Sequence, residues 1–252
     1  MPLAFTRAVS PRIAECALTH LDRQAIDPVR AAGQHAAYEQ ALRDAGYDVV
    51  RLPDLADDPD AVFVEDTAIL LGEHAVITRP GAPSRAGETD STAAGLEPYF
   101  TVHLLAAGIL DGGDVLRIGA RLYVGQSSRT DAAGTQAFAD LVAPLGFEVV
   151  PVELGRCLHL KTAVTFAGRE SVLVNPKWVD PGLFAETQAI AVAGDEPLAA
   201  NVVRAGDRLL MAAGSPNTAA VLRQRGFTVV ELDLSELQKA EAGGTCMSLI
   251  AD

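Results

Sequence analysis

Cysteine is scarce in this chain. Only Cys16, Cys157 and Cys246 occur among 252 residues, and no two of them form a Cys-x-x-Cys pair. So odd and sparse a set excludes a disulfide scaffold and a cysteine-built zinc site. Long apolar runs are also missing. None approaches the ~18 residues that a membrane-spanning helix requires. The N-terminal MPLAFTRAVSPRIAEC lacks a basic segment followed by a long apolar stretch. No secretory leader is therefore expected, and a reducing cytoplasm, which keeps thiols free, is the expected compartment. Positive charge is in deficit, with 20 Lys and Arg against 33 Asp and Glu and a formal net charge of −13. Nucleic-acid binding requires a basic face, so neither nucleic acid nor a membrane is an expected partner. Charged residues make up 21 %, too few for a disordered chain. What is abundant is apolar: 49 % of the residues, enough for a sizeable core in one large domain or two small ones. The acidic balance serves solubility and also favours the capture of cations.

A repeat runs along the chain. A helical stretch ends at a glycine and is followed by an aromatic residue and a β-branched strand: ALRDAGYDVVRLP at 41–53, LVAPLGFEVVPVEL at 141–154 and VLRQRGFTVVELDL at 221–234. Gly46, Gly146 and Gly226 occupy the positions of helix C-caps. A weaker copy, GLEPYFTVHLL, lies at 95–105. Between these stretches stand apolar hairpins split by glycine-containing turns. Asp66, Asp114, Lys161, Asn201 and Cys246 each open one, about every 45 residues. The hairpin partner after Cys246 is expected to be the N-terminal LAFTRAV, which closes a ring. The pattern predicts an α/β fold of five strand–strand–helix–strand units, helices outside, hairpin starts converging on a central axis. Glu65-Asp66, Gly113-Asp114, His159-Leu160-Lys161, Asn201 and Cys246 then meet in one place.

That set has a chemistry. Cys246, after Gly243-Gly244 and before an apolar strand, is suited to attack an electrophilic carbon as thiolate. A free thiol has a pKa of about 8.5, and a bound cation favours its anion. Among five histidines, His159 is the general acid/base candidate; His20, His35, His74 and His103 fall in helical or turn contexts. Asp111, ahead of a Gly-Gly pair that permits close backbone approach, is placed to orient His159. Glu65 and Asp66 at a buried strand start call for a cationic partner, and a planar guanidinium suits them. Asp60 lies on the approach. Arg85 and Arg129, on loops after hairpins, suit a carboxylate. A substrate with a guanidinium at one end and a carboxylate at the other fits: arginine or a close derivative.

The chain resembles the dimethylarginine dimethylaminohydrolases of the guanidine-modifying (pentein) superfamily. The resemblance rests on Ala17-Leu18-Thr19-His20-Leu21, Asp60-Ala61-Val62-Phe63-Val64-Glu65-Asp66, ITRPGAPSR with GET, LDGGDVL, VGQSSRT, LHLKT, AAN and TCMSLI, in that order. It runs end to end and implies one hydrolase domain over residues 1–252. It also implies a five-fold pseudosymmetric α/β propeller with a central active-site channel. The implied nucleophile is Cys246, with His159 as general acid/base and Asp111 as third member. Asp60, Glu65 and Asp66 line the cationic end, and Arg85 and Arg129 hold the substrate carboxylate. Leu18 sits on a mobile lid, and the backbone of Ala240 contacts the substrate amino group. The implied reaction converts Nω-methylated arginine to citrulline and methylamine or dimethylamine through a thiouronium intermediate, with no metal or organic cofactor. Glu241 stands where the family usually has an aspartate close to the guanidinium. Lys161 stands where the sister arginine deiminases carry an aspartate, which favours the methylarginine branch.

Two alternatives remain open from the residues: hydrolysis of another guanidine such as arginine, and a non-catalytic propeller that binds a partner. The oligomeric state, monomer or homodimer, is not legible.

Overall fold

The strands are short, three to six residues each. The computed structural model describes residues 2–251. Among these, the strands form five three-stranded sheets of one design. The first pairs β1 (Leu3–Thr6) with β2 (Asp48–Arg51) and with β15 (Leu249–Ala251). The second holds β3 (Ala68–Leu71), β4 (His74–Ile77) and β5 (Thr101–Leu104). The third holds β6 (Val115–Ile118), β7 (Arg121–Gln126) and β8 (Glu148–Glu153). The fourth holds β9 (Val164–Gly168), β10 (Ser171–Val174) and β11 (Gln188–Ala191). The fifth holds β12 (Val202–Ala205), β13 (Arg208–Ala212) and β14 (Thr228–Leu232). In each, an antiparallel pair is followed by a parallel third strand. A parallel neighbour requires a crossover. Helices α1 (Pro28–Asp44), α2 (Glu88–Leu96), α3 (Ala132–Val142) and α5 (Pro216–Gln224) supply four of them. The fourth unit departs from the expected helix: its crossover carries only the 3₁₀ turn Pro181–Phe184.

Local chemistry sets the ends of these elements. The Asp27 side chain accepts from Val29 N and Arg30 N, and Pro28 follows it at the first helical position, so α1 starts there. α1 buries Ala31, Gln34, His35, Tyr38 and Leu42, a spacing of three and four residues that lays one face on the sheets. Gly46, Gly146 and Gly226 all have positive φ, as the helix ends demand. His74 and His103 correct the expectation of helical or turn contexts. They face each other across β4 and β5, Nε2 of His103 lying 3.1 Å from Nδ1 of His74.

The ring closes as the pattern predicts. β15 runs antiparallel to β1, with Leu3 opposite Ala251 and Phe5 opposite Leu249. The core is divided. Five apolar clusters fill the spaces between neighbouring sheets: Phe5 with Val64, Ile77 and Leu96; Val76 with Leu122 and Phe138; Tyr123 with Val172 and Phe184; Leu173 with Leu209 and Leu222; and Leu210 with α1 residues Tyr38 and Leu42. This is the five-fold pseudosymmetric α/β propeller. The inner edge strands β3, β6, β9, β12 and β15 surround an axial cavity of about 530 Å³. No helix among the described residues is long and apolar enough to cross a membrane.

Candidate active site

Each inner strand is entered through one helical turn: Val64–Thr67, Gly112–Asp114, α4 (Leu160–Ala163), Pro197–Ala200 and Thr245–Met247. The polar residues flagged in the sequence sit on these turns or, for His159 and Asn201, directly beside them, rather than on the strands they precede. Such turns leave N–H groups free at their starts, and buried carboxylates take them. Asp114 Oδ1 accepts from Leu160 N at 2.9 Å, and Asp66 Oδ1 accepts from Gly113 N at 3.3 Å.

His159 precedes α4 and is buried. Its Nε2 lies 3.0 Å from Asp111 Oδ2, and its Nδ1 lies 3.9 Å from Asp66 Oδ1. Asp111 is fixed in turn. Its other oxygen accepts from Gly81 N at 2.8 Å, and its own N–H donates to the Thr130 hydroxyl at 3.1 Å. Gly112 and Gly113 make this arrangement possible. A Cβ on Gly113 would stand 2.7 Å from His159 Nδ1 and 2.8 Å from Asp66 Oδ1, and one on Gly112 would stand 2.1 Å from the Glu65 carbonyl oxygen. Burial opposes a charge on the imidazole, but the carboxylates of Asp66, Asp111 and Asp114 outweigh it and raise its pKa to about 9. Asp66 moves the opposite way. Burial disfavours its charge, but His159 and Arg85 hold its carboxyl below the usual range.

Cys246 is half-buried in the turn Thr245–Met247, and its Sγ accepts from Gly243 N at 3.4 Å. Burial raises its pKa, and the negative charges of Glu65 and Asp66 raise it further. No hydrogen bond joins Sγ to the imidazole among the described residues. Glu65 is engaged elsewhere: Lys161 Nζ lies 2.6 Å from one oxygen and the Thr245 hydroxyl donates to the other at 2.7 Å. Its carboxyl is raised by burial against the pull of Lys161. Glu65, Lys161 and Thr245 line the axial cavity, whereas Cys246, His159 and Asp111 do not. Asn201 ties the turns together, its amide donating to the Lys161 carbonyl and the Thr245 hydroxyl, each at 3.0 Å.

The flanking residues divide. Arg129 is half-buried, and its Nη2 donates to the Thr19 hydroxyl at 2.9 Å. Arg85 differs from the expected loop arginine. Its side chain is 4 % exposed; Nη1 pairs with Asp66, Nε and Nη2 bind Glu88, and Nη2 also donates to the Phe63 carbonyl at 2.7 Å. Asp60 accepts from Ala17 N at 3.1 Å, so it meets the segment that carries Leu18. Leu18 is half-buried against the cluster beside α1, and Ala240 is buried just after α6 (Ser235–Gln238). Asp66, Asp111 and His159 bring one ligand atom each within 4.8 Å of one another. Arg85 already neutralises part of that charge, and His159 is raised toward its protonated form, which suits an acid/base group better than a metal ligand.

Residue-by-residue reading passes over Thr245, Thr130, Gly81 and the Glu65–Lys161 pair. Only the last had a signal: an acid and a base at equivalent starts of converging hairpins.

No family model matches the chain. Curated proteins and solved structures do. The N(G),N(G)-dimethylarginine dimethylaminohydrolase of Streptomyces coelicolor is 40 % identical over 253 residues, covering 98 % of this chain and 95 % of its own. The dimethylarginine dimethylaminohydrolase of Pseudomonas aeruginosa, solved as a Cys-to-Ser mutant with citrulline, superposes with a TM-score of 0.94 at 32 % identity, covering 98 % of each chain. A dimethylarginine dimethylaminohydrolase solved as an adduct with S-methyl-L-thiocitrulline gives 0.93 at 31 % identity, covering 99 % of this chain and 100 % of that one. With that likeness running through the ring and the histidine–carboxylate pairing at its centre, the chain belongs to the dimethylarginine dimethylaminohydrolase family.

Proposed function

We propose that this protein hydrolyses Nω-methylated arginine to citrulline, releasing methylamine or dimethylamine. The observation that carries the reading is a free thiol, Cys246, set beside the Glu65–Asp66 pair with a buried His159 oriented by Asp111. The guanidinium lies against Asp66 and replaces solvent around Sγ. Its charge offsets the acidic pair and lowers the thiol pKa, so the substrate helps generate its own nucleophile. Cys246 attacks the guanidinium carbon. His159, protonated at neutral pH by its carboxylate neighbours, gives its proton to the departing amine. Water deprotonated by the now neutral imidazole then attacks the thiouronium carbon, the C–S bond breaks as the adduct's hydroxyl proton passes to solvent, and citrulline leaves with the thiolate restored.

Arg129 takes the substrate carboxylate. Arg85, expected to share that task, has most of its donors on Asp66, Glu88 and Phe63, so its first role is to keep Asp66 ionised. Leu18 and the Ala240 backbone bound the amino-acid end. Lys161 neutralises Glu65 and leaves Asp66 as the acceptor for the cation. One domain and a cytoplasmic setting, where the thiol stays reduced, complete the reading.

The test is citrulline release by the purified protein from asymmetric dimethylarginine and, in parallel, from arginine. Faster turnover of the methylated substrate, abolished in Cys246→Ser, is the expected result. Turnover of arginine alone, or full activity in the serine variant, refutes it.

A further inference from the structure

Three non-glycine residues have positive φ among the described residues: Arg169, Glu170 and Glu241. The first two form the two-residue turn between β9 and β10, where such angles are ordinary. Glu241, at φ 61, belongs to no hairpin. It follows α6 and Ala240, and its carboxylate turns toward a segment more than two hundred residues away. Thr19 N lies 3.1 and 3.0 Å from its two oxygens, and His20 N and Leu21 N lie 2.5 and 2.6 Å from Oε1. Three successive N–H groups converging on one carboxylate make a backbone nest for an anion, and charge strengthens each bond.

The segment has little else. Residues 17–21 form no helix or strand, and Thr19, His20 and Leu21 are exposed. Their other ties are charged side chains of the site: Asp60 on Ala17 N and Arg129 on the Thr19 hydroxyl. His20, Leu21, Glu241 and Gly243 together wall a cavity of about 330 Å³ with Leu158 and Asn201. Two residues beyond Glu241, Gly243 N donates to the Cys246 sulfur. One short loop thus grips the segment that carries Leu18 at one end and the nucleophile at the other.

We infer that Glu241 is a positioning residue that latches segment 17–21 over the bound substrate. Its carboxylate is taken up by the Thr19, His20 and Leu21 amides. Closing the segment retains the substrate, so the latch acts on binding more than on chemistry. The inference rests on the proposed function only for the choice of substrate.

The test is Glu241→Gln, which keeps size and one acceptor oxygen but removes the charge. Hydrogen exchange of the ligand-free protein is followed on a peptide spanning residues 17–23, and KM and kcat are measured with asymmetric dimethylarginine. Exchange in that peptide is expected to accelerate about tenfold, KM to rise about tenfold and kcat to change less than about threefold. Unchanged exchange in the peptide overturns the latch. So does acceleration spread over all five sheets, or a fall in kcat at constant KM. Should the wild-type protein release no citrulline, the substrate assignment fails while the exchange result still decides the latch.

Discussion

The ammonium of Lys161 lies 2.6 Å from Oε1 of Glu65, on the wall of the axial cavity, and Glu65 in turn accepts from Thr245 in the turn that carries Cys246. Both residues sit on turns that open inner strands, in sheets that are not neighbours. The pair therefore joins opposite sides of the ring. Removing one partner strands the other as a buried charge. Lys161→Met is expected to cost about 3–5 kcal/mol in urea unfolding. A loss under ~1 kcal/mol would mean that solvent already screens Glu65.

The two arginines separate by stability against affinity. Arg85 is enclosed by Asp66 and Glu88, and Arg85→Met leaves two buried carboxylates, an expected loss of about 3–5 kcal/mol. Arg129→Ala removes a half-buried cation that touches the Thr19 hydroxyl. It is expected to change stability by under ~1 kcal/mol and to raise KM by about 10- to 100-fold. Equal behaviour of the two variants would contradict the division of roles.

His159 makes stability depend on pH. Its pKa rises from 6.5 to about 9 on folding, so the folded state binds its proton more tightly. The contribution is complete below about pH 6.5 and disappears as pH climbs through about 9. Wild type is expected to lose on the order of 3 kcal/mol between pH 6.5 and 9.5 through this group. His159→Gln should be flatter across that window. Parallel profiles for the two proteins would place the charge elsewhere. In the proposed mechanism the same proton goes to the amine, so turnover should also fall on that alkaline limb.

Gly113→Ala tests how closely the imidazole is held. The added methyl would meet His159 Nδ1 at 2.7 Å and Asp66 Oδ1 at 2.8 Å, so one of them must move. Displacement of the acid/base by about 1 Å costs roughly 100-fold in kcat, alongside about 1–3 kcal/mol of stability for overpacking. A variant with native kcat would show that the imidazole tolerates another position.

Much of the ring was legible because its signals are local. Alternating apolar residues, glycine turns and helix-ending glycines each occupy a few consecutive positions, and five copies reinforce one another. The partner of the last strand followed from counting. Contacts between side chains far apart in sequence were less accessible. Arg85 read as a loop cation because its burial comes from Asp66 and Phe63, about twenty residues earlier, although Glu88 at i+3 was a hint. The missing helix of the fourth unit and the strand setting of His74 and His103 were obscured by short, ambiguous stretches. Glu241 stood out in the sequence as a departure, but only the fold shows where its carboxylate goes.

The pairing of β15 with β1 also orders the making of the site in time. As the chain grows, Glu65, Asp66, Asp111 and His159 are all synthesised before the turn that carries Cys246 and the strand β15 that follows it. Until β15 finds β1, that edge of the first sheet is unpaired. Of the side chains proposed for the site, Cys246 is thus the last to be synthesised, and the ring around them is closed only by a pairing between strands almost 250 residues apart.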